Sequence, residues 1–122
     1  MILFLTITAG FFLFFGIASL IKPAVMIEVP FGLTVTNADG KSFLRSGAGG
    51  VTVTLGVLFA YAAMFPQFAQ AATITAVTVF AGLLIGRLVS FIVDGKPSGF
   101  VRAAATGELI GLASGCYWLS VS

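Results

Sequence analysis

Hydrophobic residues in this chain come in four long runs. Residues 2–21, 44–65, 71–93 and 100–121 are each close to the roughly 20 apolar residues that a helix needs to cross a bilayer. Turn and stop residues separate the runs. Lys22-Pro23 ends the first, Pro66 ends the second, and Asp94-Gly95-Lys96-Pro97 ends the third. A proline removes a helix donor and clashes with the preceding turn, so each of these sites punctuates a helix. The pattern predicts an all-α protein: a four-transmembrane-helix bundle, up-down-up-down, forming a single transmembrane domain over residues 1–122. Pro97 and Ser98 suit the first turn and the cap of the last helix.

The connections are unequal. Residues 66–70 and 94–99 are tight turns. Residues 22–43 form one longer connection, and 25–35 within it are too apolar for a solvated loop, so this segment is expected at the membrane interface or against the bundle. The second helix is expected to start near Asp39 as its N-cap. The first run lacks the positive n-region of a signal peptide and exceeds the usual h-region length, so it reads as a retained span.

Composition sharpens this picture. The chain has 122 residues, 59% hydrophobic and 8% charged, with a mean hydropathy of +1.15. Soluble domains carry about 25% charged residues, and ten charges could not cover so much apolar surface in water. No basic run or basic patch interleaved with aromatics supports nucleic-acid binding. Histidine is absent, which removes the usual general base and the commonest haem and zinc ligand. The single Cys116 reads as a small packed residue. Neither a metal site nor a cofactor is indicated, although a bound lipid or other lipophilic molecule is compatible with the composition.

Lys22, Lys41, Arg45, Arg87, Lys96 and Arg102 all belong to the end of the bundle carrying the first and third connections. The positive-inside rule then puts residues 22–43 and 94–99 in the cytoplasm and both termini on the other side, as expected for a bacterial inner-membrane protein. Tyr61, Tyr117 and Trp118 lie near the far end, as an interfacial aromatic belt would.

Helices in lipid associate through small residues and polar contacts. Gly107, Gly111 and Gly115 form a stripe on the fourth helix, Gly82 and Gly86 another on the third, and Gly49 and Gly56 a third on the second. These stripes predict close packing of helices three and four, with docking of a partner helix as the alternative. Phe11, Phe12, Phe14 and Phe15 wrap the first helix and suit lipid or a partner surface.

Two charges lie inside apolar runs. Arg87 is about 10 Å into the third helix and Glu108 about 15 Å into the fourth, at 1.5 Å per residue. A tight turn makes these helices antiparallel neighbours, so the charges fall at similar depth. Charges inside a membrane are costly unless paired, and by default mark a functional site. We expect Arg45, Arg87, Asp94 and Glu108 to converge into a polar cluster in the cytoplasmic half. It would serve either as a register-fixing ion pair or as a binding pocket.

The same residues carry a resemblance. Pro23, Arg45 before Gly49-Gly50, Gly86-Arg87, Asp94-Gly95, Pro97, Glu108 and Gly111 resemble the bacterial domain-of-unknown-function 4345 family of small four-helix membrane proteins. The pattern from Arg87 through Asp94-Gly95 and Pro97 to Glu108 is its most specific part. Ala48 stands where the resemblance implies a tyrosine in many members. The resemblance implies a fold and topology, and no activity.

Three functions are compatible with these features, and the first is the one they favour. The first is a non-catalytic accessory subunit packing against larger integral membrane proteins, with membrane lipids as its other partners. The second is a membrane enzyme or binding protein for a lipophilic small molecule, using the Arg/Glu cluster. The third is a small carrier. An accessory subunit should bury one outer face in protein, whereas the second function requires a cavity of a few hundred Å³ reaching Glu108.

Overall fold

The computed structural model describes residues 1–122, and every regular element is helical. Helix α1 spans Ile2–Ile21. The connection after it folds into a short helix α2 over 24–31, a wide π-helical turn Ala24–Glu28 running into Val29–Phe31. Helix α3 runs Ala38–Met64, helix α4 Ala69–Asp94 and helix α5 Gly99–Ser120. Three helical stretches, Ile2–Ile21, Ala38–Met64 and Pro66–Asp94, are long and apolar enough to cross a membrane. Helix α5 has 22 residues, but Arg102, Glu108 and many Ala, Gly, Thr and Ser make it less apolar than the other three.

Local chemistry sets the helix ends. Asn37, in extended backbone, accepts a bond from the Gly40 N–H at 2.8 Å and so caps α3. The cap is therefore Asn37 rather than Asp39, and the helix begins six residues earlier than the apolar run. A polar first turn is invisible to a hydropathy criterion. Residues 45–50 widen to a π-helical turn without ending α3. Ser98 caps α5 through the Val101 N–H at 3.3 Å. Within the connection, Glu28 accepts from the Val35 N–H at 2.9 Å, and Gly32 (φ +66°) turns the chain in the left-handed region that favours glycine. Phe31 stacks edge-on against Phe100, with ring centroids 5.1 Å apart, tying this segment to the start of α5.

Polar groups buried in apolar surroundings usually find partners nearby, although the buried Ser19 hydroxyl has none. The buried Thr8 and Thr73 hydroxyls donate to the carbonyls of Phe4 and Ala69 one turn back, both at 2.8 Å.

The helices associate as two antiparallel pairs. α1 lies along α3, and α5 lies along α4, whereas α1 and α5 barely meet. The core sits at the end remote from the charges, where Phe4, Leu5 and Ala9 of α1 meet Phe59 and Ala62 of α3 and Ala72, Ala76 and Phe80 of α4. Beyond Phe80 no residue of α4 is buried. Core contact between the two pairs is thus confined to one end.

Candidate functional site

Arg87 and Glu108 face each other across the α4–α5 seam. The Arg87 Nε donates to Oε2 of Glu108 at 2.6 Å and the Nη2 donates to Oε1 at 2.7 Å. This is the two-pronged arrangement in which a planar guanidinium matches a carboxylate, and it is among the stronger side-chain contacts. The side chains are 25% and 11% exposed. It is the one ion pair in the structure. Each carboxylate oxygen keeps a lone pair free, since a carboxylate offers about four acceptor positions.

The other two members of the expected cluster lie elsewhere. Arg45 donates to the Leu20 carbonyl at the end of α1. It stands there because the first part of α3 packs against α1 and turns its face away from the α4–α5 seam. Asp94 is exposed and accepts from Ser90, one turn earlier on its own helix, at 3.0 Å. The four residues share one end of the molecule but form three separate contacts.

The expected packing glycines also divide. A side chain at Gly111 would meet the Phe80 ring at 2.7 Å, and one at Gly115 would meet Val77 at 2.5 Å, so these two seat α5 on α4. Gly82, Gly86 and Gly107 have nothing within 4 Å of where a Cβ would stand. A shared helical face is not a shared seam, because α4 and α5 touch over only part of the stripe. The tightest approach in the other pair includes Gly16, whose Cβ would lie 2.7 Å from the Val53 backbone nitrogen. No glycine stripe marks Gly16 in the sequence. The signal was the row of small residues Ala9, Gly16 and Ser19 on an otherwise bulky helix.

Where α1 and α5 part, a groove of about 680 Å³ opens. Leu3, Ile7 and Phe11 of α1 form one wall, Ile110 and Trp118 of α5 the other, and Phe80 of α4 borders it. Gly107 lines it as well, and its missing side chain leaves room beside Glu108. Glu108 is the one charged group in the groove; Thr8 and Ser114 are the lining hydroxyls, and the Thr8 hydroxyl hydrogen is already given to Phe4. The arrangement is an apolar trough with a carboxylate held in place by an arginine behind it. No group of three or more His, Cys, Asp or Glu side chains is placed to hold a metal.

No curated protein and no solved structure matches the chain. The family model DUF4345, described as a domain of unknown function, matches residues 1–119. That match spans α1, α3, α4, all but the last residue of α5 and both members of the ion pair, and the chain belongs to the DUF4345 family.

Proposed function

We propose that this is a small integral membrane protein that binds an elongated lipophilic molecule in the groove between α1 and α5. The observation that carries the proposal is the groove itself: about 680 Å³, apolar along its walls, with Glu108 as its charged group. Small-molecule sites typically occupy about 300–1,000 Å³ and combine apolar walls with a few placed polar groups. The matching ligand has an apolar body and a hydroxyl or amide donor that reaches the free lone pairs of Glu108. Arg87 positions the carboxylate by its two bonds. No acid or base catalysis is assigned to the pair, because its geometry accounts for recognition alone.

In this reading α5 crosses the bilayer as a fourth span, completing an up-down-up-down bundle. Its Glu108 is covered by the Arg87 contact and by the ligand. Every Lys and Arg falls at one end, which the positive-inside rule assigns to the cytoplasm. Both termini then face away from the cytoplasm, and a bacterial inner membrane is the matching compartment.

A second reading, an accessory subunit for a larger membrane protein, is favoured by one observation. Gly82, Gly86 and Ser90 make an exposed four-residue repeat on α4, and no atom lies within 4 Å of either glycine's would-be Cβ. Such a face lets another helix approach closely.

Native mass spectrometry of the protein purified in nanodiscs separates the two. The expected result is a retained lipophilic molecule that is lost in Gly107→Leu, a change that fills the groove without touching a helix seam. Larger membrane proteins travelling at fixed ratio, with no small molecule retained, would replace this reading with the subunit one.

A further inference from the structure

A second concavity lies at the charged end, and none of its lining residues belongs to the groove. Ala38, Lys41, Ser42, Arg45 and Ser46 recur at three- and four-residue intervals and so share one face of α3. They border an open depression of about 530 Å³ whose other edges are Leu20 at the end of α1 and Gly50. The π-helical turn over Arg45–Gly50 is rich in glycine, so few side chains fill the space.

The depression is cationic and unneutralised. Neither Lys41 nor Arg45 has a carboxylate partner, since the one ion pair is Arg87–Glu108. Arg45 donates to the Leu20 carbonyl, and most of its five donors remain free. Ser46 gives its hydroxyl hydrogen to the Ser42 carbonyl at 2.7 Å, while the Ser42 hydroxyl makes no bond in the structure. Asp39, two residues from Lys41, does not face it, because residues two apart lie on different sides of a helix. A guanidinium, an ammonium and a free hydroxyl on one face make a donor set suited to a phosphate.

The level of the site selects the source of that phosphate. It stands where α3 passes from its polar first turns into the apolar run and where α1 ends. Ile17 and Ile21 of α1 are exposed apolar side chains at that same end. A phosphate held here has apolar helix surface beneath it for acyl chains. We propose that this depression binds the phosphate of an anionic phospholipid headgroup. Basic pockets between membrane helices on the cytoplasmic side recognise such headgroups generally. The proposal does not depend on what occupies the groove.

The test uses the full chain in nanodiscs of phosphatidylcholine with added phosphatidylglycerol, and native mass spectrometry of the lipids that stay bound. Phosphatidylglycerol should be retained in preference to phosphatidylcholine. Lys41→Gln should cut that preference about fivefold, the effect of one basic residue at a membrane surface. Lys41→Arg should keep it. Lys96→Gln, which removes the same charge from the same end but outside the depression, should lower it clearly less than Lys41→Gln does. Equal losses in Lys41→Gln and Lys96→Gln would overturn the proposal in favour of a diffuse surface field. Absence of any preference in the unaltered protein would overturn it outright. Release of the bound lipid by millimolar inorganic phosphate would reassign the depression to a free anion.

Discussion

Along α1 and α3 the helices are held by shape. Gly16 receives Val53, Gly49 receives Leu20 and Gly56 receives Leu13, each so closely that a Cβ would come within 3 Å of the neighbouring helix. Along α4 and α5 the seam changes character with depth. Gly115 and Gly111 receive Val77 and Phe80 near the uncharged end, and the Arg87–Glu108 pair takes over toward the charged end. In lipid there is no hydrophobic drive between helices, so each seam depends on what its surfaces supply. A seam built on backbone approach tolerates no added atom. A seam built partly on charge tolerates open space beside it: the groove reaches Glu108 at that depth and runs from there past Gly111 and Ser114 to Leu3 and Trp118 near the uncharged end.

The largest effect should come from breaking the charged part of the second seam. Arg87→Met or Glu108→Leu alone leaves one uncompensated charge among apolar helices and should cost about 3–5 kcal/mol of unfolding free energy. The double change should recover most of it, since both charges are then gone. Denaturant titration of the four proteins in mixed micelles measures this, and a double mutant no better than the singles would refute the coupling.

Next in size is Gly16→Ala. Its Cβ would stand 2.7 Å from the Val53 backbone nitrogen, which cannot rotate away, so α1 and α3 must separate locally. The expected loss is about 1–3 kcal/mol, the usual range for overpacking. Gly111→Ala should cost less, near 1 kcal/mol, because the opposing atoms are the edge of the Phe80 ring and that ring borders the open groove. If the two substitutions cost the same in one thermal-unfolding series, the distinction between backbone and side-chain contact has no energetic meaning here.

The smallest effect, and of opposite sign, is expected at Gly82. With nothing within 4 Å, Gly82→Ala should stabilise the isolated protein by about 0.5–1 kcal/mol through helix propensity. Destabilisation measured in isolation would mean that another surface already lies against this face.

Much of the helical layout was legible because apolar run length is a one-dimensional property. The first helix occupies residues 2–21 in both sequence and structure, and the last differs by a single residue at each end. Helix α3 was the exception, since its first turns are polar and capped by Asn37. The positions of Arg87 and Glu108 could be reasoned from rise per residue because a tight turn fixes the register of α4 and α5. Arg45 could not be placed in that way. Its neighbours depend on which helix α3 chooses to pack against, and the long connection 22–37 leaves that choice to tertiary contacts. The glycine stripes failed for a related reason. A sequence shows which residues share a face, but not how much of that face another helix covers.

The short connection 95–98 has a consequence for how such a chain enters a bilayer. In the four-span reading α5 is a poor passenger by itself, because Glu108 and Arg102 oppose its transfer. α4 carries the equally unwelcome Arg87. A charge at the centre of an inserting helix costs about 2.5–3.5 kcal/mol, and Arg87 and Glu108 neutralise each other only when both helices are present. The turn is too short to let one helix settle long before the other. The last two helices should therefore partition as a single hairpin, and a chain stopped before residue 108 would hold α4 at the membrane with its arginine still waiting for a counter-ion.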